Sequence, residues 1–383
     1  MAKIRILHVV TRLEMGGAQK NVLQILSGLD PDRYEPYLVA STGPLAEEAR
    51  QIPHLVMALT SWLRRRPNPV CDILAFGFLV YFIKKHRIQI VHTHSSKAGI
   101  VGRWAAYVCG VSVIVHTVHG WGFREFVKGP LNACYLFLEK GTAHITRRLI
   151  VVTEHDKEKG LRYHVGRADQ YALIRYGLSA DFCRPDPAAV TALKAQLEAT
   201  DRYIVGMVAC LKPQKNPLDF IRLAKRVVPA CPGALFVLAG DGILRNEVEG
   251  LIRQEGLSDR VILLGWSKEI SSFMAALDVF VLTSLWEGLP MVFLEAMSHA
   301  KPIVAYDICG NSEVVKDGVN GFLVSVGDVA ELADRVIQLL EDDDLKRRMG
   351  LWGKTIVSDR IFLASTMMEN LDQLYSGLLG ETA

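Results

Sequence analysis

The sequence predicts an α/β fold of two Rossmann-like domains, each a parallel sheet with helices on both faces and together facing a shared cleft. Short apolar runs alternate with amphipathic stretches through most of the 383 residues, which is typical of such sheets. The alternation is interrupted near Ile174–Pro187, where one glycine and two prolines indicate a connector. The length also suits two or three domains.

The first domain is expected over residues 1–180 and the second over 181–360. Strands are predicted in the first at Ile4–Val10, Tyr37–Ala40, Ile88–His92, Val113–Thr117 and Leu149–Val152, with helices at Ala18–Leu29, Ile73–Lys85 and Lys97–Cys109. In the second, strands are predicted at Ile204–Ala209, Leu235–Ala239, Val261–Leu264, Val279–Thr283 and Pro302–Tyr306, with helices at Pro217–Val228, Leu244–Glu255 and Pro290–His299. The apolar pattern of Ser358–Leu378 predicts a last helix, and residues 361–383 are expected to pack back towards the first domain.

Composition disfavours several functional classes. The formal net charge is +3, which gives no field suited to nucleic acid, and zinc-finger spacing is missing. Seven cysteines are scattered without a CxxC pair, so a disulfide scaffold is not expected and the thiols are interpreted as reduced and cytoplasmic. The start does not have the pattern of a signal peptide, and the apolar window Ile73–Ile83 is too short to span a bilayer.

Candidate ligand-binding residues follow the strands, because open parallel sheets bind ligands at the carboxyl ends of their strands. In the first domain Gly16 and Gly17 lead into a helix, where close backbone approach and free N–H groups suit an anion, although an ordinary tight turn explains them equally well. Ser95 or Ser96 is a candidate helix cap, and Lys97 in the first helical turn indicates a nearby anionic ligand or carboxylate. His119 follows the next strand and can hydrogen-bond a substrate hydroxyl.

Several histidines also raise the question of a metal site. His92, His94, His116 and His119 lie close in sequence, and neutral imidazoles suit zinc. No HExxH motif is present and no acidic residue lies beside them, so we expect no metal site.

In the second domain two loops carry candidate phosphate contacts. Lys212 and Lys215 follow a strand and suit a diphosphate, the alternative being two solvated surface lysines. Gly240 and Gly242 follow the next strand and are either a ligand contact or only a turn.

The segment TSLWEGLPMVFLEAM is the most informative. Glu287 lies in the loop before a helix that Pro290 is predicted to start, and Glu295 lies on its second turn. The amides of Gly288 and Leu289 then point at the helix start. One ligand can therefore meet two carboxylates suited to sugar and ribose hydroxyls and amides suited to phosphate. A surface acid beside a helix start is the alternative, but Glu295 stands among apolar residues and needs a partner.

Basic residues bracket the apolar window CDILAFGFLVYFI in the first domain. They are Arg64–Arg66, Lys84, Lys85 and Arg87. A basic, apolar surface suits the inner membrane leaflet and a lipid-linked acceptor. For the helix itself we favour a core role, because Leu74, Phe78, Tyr81 and Phe82 form a core-like stripe. The arginine run fits a solvated basic end of the helix equally well.

With these motifs the chain resembles the retaining glycosyltransferases of family 4, which have the two-domain GT-B fold. The resemblance covers nearly the whole chain and rests on GGAQKNV, THSSKAGIVGR, HTVHGWGF, LKPQKNP and EGLPMVFLEAM with its E-x7-E spacing. Within the family it is most similar to bacterial transferases that build surface polysaccharides or lipid-linked glycans.

The resemblance implies roles for individual residues. His119 would hydrogen-bond the transferred sugar, Lys215 would hold the diphosphate leaving group, and Glu287 and Glu295 would contact sugar hydroxyls and ribose. Gly16 and Gly17 would approach donor phosphates or acceptor, and the Gly288 and Leu289 amides would bind phosphate or sugar. The family often has an arginine where this chain has Cys210, and Lys212 is the candidate for that second positive charge.

The reaction implied is transfer of a hexose or N-acetylhexosamine, with retention, from a nucleotide-sugar, by resemblance UDP-linked, to a glycan or polyprenyl-diphosphate-linked acceptor. We recognise no DxD motif placed to hold a metal and expect no cofactor; same-face attack assisted by the leaving phosphate is the family expectation. The alternatives are a nucleotide-sugar epimerase or glycosyl phosphorylase on the same fold, and a non-catalytic nucleotide-sugar binding protein. A nicotinamide dehydrogenase is disfavoured by the missing GxGxxG.

Overall fold

The computed structural model describes residues 3–123, 129–308 and 310–381, and it divides into two compact units. The first unit runs to Tyr176 and takes up the chain again from Ser365, and the second runs from Gly177 to Ala364. We expected the divisions at 181 and 361. Each unit contains one parallel sheet with helices, so the prediction of two Rossmann-like domains is confirmed.

The first unit contains a seven-stranded sheet in the order β3-β2-β1-β4-β5-β6-β7. Its strands are β1 Ile4–Arg12, β2 Tyr34–Ser41, β3 Val56–Leu59, β4 Ile90–His94, β5 Val113–Val118, β6 Arg148–Val151 and β7 Tyr171–Leu173. Its helices are α1 Gly17–Gly28, α2 Ala46–Arg50, α3 Pro69–His86, α4 Ser96–Val108, α5 Pro130–Ala143, α6 Glu154–Arg162 and, from the far end of the chain, α15 Ala364–Gly380. The register pairs His8 of β1 with His92 of β4, and His94 with Thr117 of β5.

The second unit contains a six-stranded sheet in the order β10-β9-β8-β11-β12-β13. Its strands are β8 Tyr203–Val208, β9 Ala234–Ala239, β10 Val261–Gly265, β11 Val279–Leu282, β12 Ile303–Tyr306 and β13 Gly321–Val324. Its helices are α7 Pro187–Gln196, α8 Pro217–Ala230, α9 Arg245–Gln254, α10 Ile270–Ala276, α11 Met291–Ser298, α12 Asn311–Val314, α13 Val329–Glu341 and α14 Asp343–Val357.

The end of α3 explains why β4 begins two residues later than predicted. Asn68 accepts a hydrogen bond from the Cys71 amide at the start of α3. At the other end Arg87 adopts a left-handed conformation with φ 49°, and the Ile88 amide still donates to the Ile83 carbonyl. The left-handed Arg87 therefore ends the helix, Ile88 belongs to the turn after it, and the strand that follows carries both His92 and His94.

The buried face of α3 differs from the predicted core stripe. Leu74 and Tyr81 are 44% and 59% exposed, while the face that packs into the core is formed by Cys71, Ala75, Leu79, Phe82 and Ile83. Phe78 is only partly buried. Both faces of this helix are apolar, so periodicity could not tell which one packs against the sheet.

Helix α15 packs on the first unit's sheet, as predicted for the C-terminal helix. Met367, Leu371 and Tyr375 enter a buried cluster that includes Ile6 of β1 and Ile90 of β4. Polar contacts fix its position, because Asp372 accepts hydrogen bonds from Arg33 and Tyr34. It begins at Ala364, six residues later than predicted, because a short turn capped by Asp359 comes first. Within the described ranges, no helix combines the length and apolar character needed to cross a bilayer.

Candidate functional site

The predicted ligand-binding residues of the first unit follow three neighbouring strands. Gly16 precedes α1 in an extended conformation and Gly17 is the helix's first residue, after β1. Ser95 follows β4 and His119 follows β5. Since β1, β4 and β5 are adjacent in the parallel sheet, these residues share its carboxyl edge.

Ser95 lies at the cap position of α4, but its hydroxyl does not cap the helix. It bonds instead to the Thr11 hydroxyl at 2.8 Å, joining the ends of β1 and β4. The capping prediction for Ser95 was therefore wrong. The backbone of Ser95 has φ 63°, and the Ala98 amide of this helix donates to the Thr11 hydroxyl instead.

Lys97 has the carboxylate partner that its position in the first helical turn predicted. Its ammonium lies 2.5 Å from Asp72 and 2.7 Å from the Arg66 carbonyl, with 11% of the side chain exposed. This ion pair joins α4 to α3. It accounts for Lys97 without a ligand, so a substrate contact by this residue stays a prediction.

His119 uses both ring nitrogens within the first unit. Its Nδ1 lies 2.7 Å from the Tyr176 hydroxyl, and its Nε2 lies 3.0 Å from Nδ1 of His94. Burial lowers its pKa to about 3. At neutral pH His119 is therefore an uncharged hydrogen-bonding group, and it must exchange one of these partners to contact a ligand.

The contacts continue inward from His119 as a row of imidazoles. Nε2 of His94 lies 3.0 Å from Nδ1 of His8, and both side chains are fully buried. Burial lowers the pKa of His8 to about 3 and that of His94 well below 6.5. Nε2 of His8 has no hydrogen-bond partner among the described residues. We name Tyr176, His119, His94 and His8 the histidine chain.

His8, His92 and His94 also bring ring nitrogens within 4.8 Å of one another, as a metal site requires. However, His92 is already bonded to the Tyr375 hydroxyl at 2.6 Å and to the Thr117 hydroxyl at 2.7 Å. The contact between His8 and His94 occupies one nitrogen of each. Metal ligands need lone pairs converging on one point, but hydrogen bonds hold every ring nitrogen of these three residues except Nε2 of His8.

In the second unit the loops after β8 and β11 meet around an ion pair between Lys215 and Glu287. The side chains are 17% and 10% exposed. The Gln214 amide donates to the Trp286 carbonyl at 2.8 Å and approaches Glu287 at 3.5 Å. Because β8 and β11 are neighbours, the sheet positions this cation and carboxylate side by side. Lys212 lies at the start of the short turn that carries Lys215.

Helix α11 begins one residue after the predicted start, with Pro290 at its cap position. Within the described structure no side chain caps this helix start, so its first amides rely on other partners. Gly288 and Leu289 are buried just before it. Glu295 lies on the second turn, as predicted, and is 7% exposed. The segment thus places its two glutamates on a loop and on the helix that follows it.

The glycines after β9 have a packing role. Gly240 has φ 141°, and a Cβ atom there would lie 1.9 Å from the Ala209 carbonyl oxygen. A Cβ atom at Gly242 would lie 2.5 Å from the Leu211 carbonyl oxygen. Both glycines let this turn pack against the loop that leads to Lys212 and Lys215. The tight turn alone therefore explains why both residues are glycines. A ligand contact by Gly240 or Gly242 stays a prediction.

Two stretches have the D-x-D spacing, although neither lies at a strand's carboxyl end. Asp30 and Asp32 form a turn that precedes β2. Asp342 caps α14, with Asp344 in its first turn. Their positions account for them as turn and cap residues.

Sequence reasoning missed three polar side chains of these edges. Gln214 stands within the quoted LKPQKNP motif, but only the fold places it against Glu287. Tyr176 lies 57 positions from its partner His119, and the connector pattern gave no sign of the contact. Ser284, in the loop after β11, is buried, and its hydroxyl has no partner among the described residues.

Comparison with known proteins agrees with this architecture. Residues 15–181 match the family model described as Glycosyltransferase Family 4, and residues 191–355 match that of Glycosyl transferases group 1. The two matches fall on the first and second units respectively.

Two curated relatives and one solved structure are informative. The UDP-Gal:alpha-D-GlcNAc-diphosphoundecaprenol alpha-1,3-galactosyltransferase of Escherichia coli is 33% identical over 349 residues, 89% of this chain and 89% of that protein. The putative glycosyltransferase EpsD of Bacillus subtilis is 29% identical, over 86% of this chain and 87% of that protein. Anabaena HepE in complex with UDP-glucose has a TM-score of 0.85 at 23% identity, covering 98% of this chain and 100% of that one. The chain belongs to the family 4 glycosyltransferases.

Proposed function

We propose that this enzyme transfers a hexose or N-acetylhexosamine from a UDP-sugar to a polyprenyl-diphosphate-linked or glycan acceptor in bacterial polysaccharide biosynthesis. It retains the anomeric configuration and needs no metal ion. The relatives support this proposal, since the Escherichia coli protein is named for UDP-galactose and a diphosphoundecaprenol acceptor, and HepE was solved with UDP-glucose.

The observation that carries the proposal is the ion pair between Lys215 and Glu287. A departing nucleoside diphosphate gains negative charge, and an ammonium at that point stabilises it without a cation from solution. The pair is largely shielded from water, with side chains 17% and 10% exposed, which strengthens charge interactions. Glu287 holds Lys215 in place before the donor arrives.

Donor binding redistributes these charges. The Lys215 ammonium binds the diphosphate, and Lys212 and the first amides of α11 are further hydrogen-bond donors. Glu287 is then available to accept hydrogen bonds from sugar hydroxyls, and Glu295 to accept them from ribose. Because Lys215 and Glu287 start as partners, both groups are ordered before binding, which reduces the entropy cost of forming the site.

His119 contributes a neutral hydrogen bond to the sugar. With a pKa lowered to about 3 by burial, it is not protonated at neutral pH and does not serve as a general acid. The acceptor hydroxyl then loses its proton to the leaving phosphate on the same face of the sugar, which gives retention. Lys215 raises the rate by lowering the energy of that departing diphosphate.

The experiment is a transfer assay with purified protein, a panel of UDP-sugars and a polyprenyl-diphosphate-linked acceptor, with product configuration read by NMR. We expect turnover that survives EDTA. Lys215→Met should lower kcat/KM roughly 10²- to 10³-fold, as for loss of one group that stabilises the transition state. Glu287→Gln should lower kcat more than it weakens UDP binding.

The matched control is Glu331→Gln, which removes a carboxylate from an exposed ion pair with Arg335 in the same unit and should change neither parameter. Full turnover by Lys215→Met would refute the proposed role of the ion pair. Conversion of the donor without acceptor would instead identify an epimerase, and binding without turnover a non-catalytic protein.

A second part of the proposal concerns the lipid-linked acceptor, which requires the enzyme to work at the cytoplasmic face of a membrane. On α3, the side chains of Val70 and Ile73 are 68% and 71% exposed. On α4, Tyr107 and Val108 are 55% and 58% exposed, and α3 packs against α4. Exposed apolar side chains on adjoining helices are typical of an interaction surface.

Exposed basic residues flank this apolar surface. They are Arg64, Arg65, Arg66, Lys84, Lys85 and Arg87. Each Lys or Arg near an anionic leaflet contributes about 1 kcal/mol of attraction, and apolar side chains insert at the headgroup boundary. The combination suits an anionic bilayer better than a neutral one.

Flotation with vesicles of anionic or of purely zwitterionic lipid tests this surface. We expect binding to the anionic vesicles, lost at high salt and weakened by Ile73→Asp. Leu351→Asp, at a residue 53% exposed on α14 of the other unit, is the control and should bind normally. Equal binding by wild type and Ile73→Asp would refute the assignment of this surface.

A further inference from the structure

The histidine chain joins a residue at the sheet edge to the interior of the first unit. Its three contacts between Tyr176, His119, His94 and His8 measure 2.7, 3.0 and 3.0 Å. His8, His94 and His119 are kept neutral by burial, which lowers each pKa. A neutral imidazole has one nitrogen that donates and one that accepts, so the protons in such a row are not independent.

Only two proton arrangements satisfy every contact in the row. In one, each histidine carries its proton on Nε2, Tyr176 donates to His119, and Nε2–H of His8 points inward. In the other, each carries its proton on Nδ1, His8 donates to His94, His94 donates to His119, and His119 donates to the Tyr176 oxygen. A change of tautomer at one ring therefore requires the same change at the others.

The inner end of the chain distinguishes the two arrangements. Nε2 of His8 is buried and has no partner in the described part of the chain. In the first arrangement it is an orphaned N–H donor, and in the second a bare acceptor nitrogen. Among buried backbone groups, orphaned N–H donors are rare and under-satisfied acceptors somewhat less so. By the same preference, the second arrangement is favoured here.

We propose that His94 and His8 are positioning residues that hold His119 in its Nδ1–H tautomer. His119 then presents a hydrogen-bond donor at the position that Tyr176 occupies in this structure. In the reaction, and here the inference rests on the proposed function, a sugar oxygen takes the place of the Tyr176 oxygen and accepts that bond. His94 keeps Nε2 of His119 occupied meanwhile, so the ring neither rotates nor removes a proton from the sugar.

The test is ¹⁵N NMR of the full-length protein labelled at histidine, because protonated and bare ring nitrogens resonate far apart. We expect a protonated Nδ1 and a bare Nε2 for His119 in the wild type. His94→Phe breaks the chain and should give His119 signals averaged between the two tautomers. His8→Asn ends the chain in an amide that can donate or accept, and should also give averaged signals without opening a cavity at His94.

His92→Phe is the matched control. His92 is fully buried beside the chain but bonds to Tyr375 and Thr117 instead, so its loss should leave the His119 tautomer unchanged. A wild-type His119 protonated at Nε2, or a tautomer unaffected by both His94→Phe and His8→Asn, would overturn the inference.

Kinetics supply a second readout. We expect His94→Phe to lower kcat about tenfold, the effect of one misdirected neutral hydrogen bond. UDP affinity, which the proposed function assigns mainly to Lys215 and the start of α11, should stay unchanged. An equal loss of kcat in His92→Phe would indicate only structural damage and would count against the proposal. If the wild type has no transferase activity the proposed function fails, whereas the NMR result still decides the tautomer.

Discussion

Mild acid should unfold the first unit well before the second, because the first unit buries neutral histidines. His8, His92 and His94 are fully buried and His116 is 3% exposed. Burial lowers the pKa of His8 to about 3 and those of the other three well below 6.5. It also lowers the pKa of His119 to about 3. Below pH 6.5 the unfolded chain binds protons that the folded chain cannot. Stability therefore falls as the pH drops, and the loss ends only below the folded pKa values.

The size of the effect follows from the five rings. Between pH 6 and pH 5 each ring costs about 1.2 kcal/mol, slightly less than the limiting 1.36 kcal/mol per pH unit. Five rings give about 6 kcal/mol, comparable to the whole stability of many domains. The second unit contains a single histidine, His299, whose pKa burial lowers to about 4, so its loss should be about one fifth as large.

Hydrogen exchange measured by mass spectrometry checks this within one sample. Peptides covering β4 report the first unit and peptides covering β11 the second, with protection corrected for the intrinsic rate at each pH. We expect the opening free energy at β4 to fall several-fold more than that at β11. Equal losses, or an uptake of less than one proton per molecule when the first unit unfolds between pH 6 and pH 5, would refute the assignment of neutral buried rings.

Three further results are expected. Glu139→Gln should destabilise the first unit by about 3–5 kcal/mol, because it leaves the fully buried Arg103 without its carboxylate, 2.6 Å away; urea denaturation checks this, and a change below 1 kcal/mol would contradict it. Gly240→Ala should abolish UDP binding measured by calorimetry, because its Cβ would lie 1.9 Å from a backbone oxygen, whereas Gly250→Ala, with nothing within 4 Å, should bind normally. The pH profile of kcat/KM should show no ionisation from His119 between pH 5.5 and 8, since burial lowers its pKa to about 3; an inflection near 6.5 that disappears in His119→Gln would contradict this.

The order of strands and helices could be predicted because local patterns determine it. Apolar runs gave most of the central strands within two residues, and the turn into α11 followed from Pro290. The face of α3 could not be predicted, since Leu74 and Phe82 are equally apolar and only packing against the sheet decides which is buried. Local pattern therefore gives the elements, and tertiary packing decides which of two apolar faces is used.

Some residues of the candidate site could likewise be predicted from local sequence, and others depend on tertiary structure. Lys215 and Glu287 were each predicted from the strand they follow, and the sheet order brought them together. The histidine chain could not be predicted, because His8 and His94 are separated by 86 positions and meet only through strand pairing. For Lys97 the sequence predicted a negatively charged partner, but it could not tell whether that partner is a ligand or Asp72.

The discontinuity of the first unit has a consequence for biosynthesis. Residues 367–378 of α15 complete the cluster around Ile6 and Ile90 and place Tyr375 against His92. On the ribosome, strands β1 to β7 emerge long before this helix. The apolar face that the helix covers therefore stays exposed while some 190 intervening residues are translated. The second unit is continuous in sequence and can close during that interval. During synthesis the first unit is therefore accessible to chaperones until α15 has been translated.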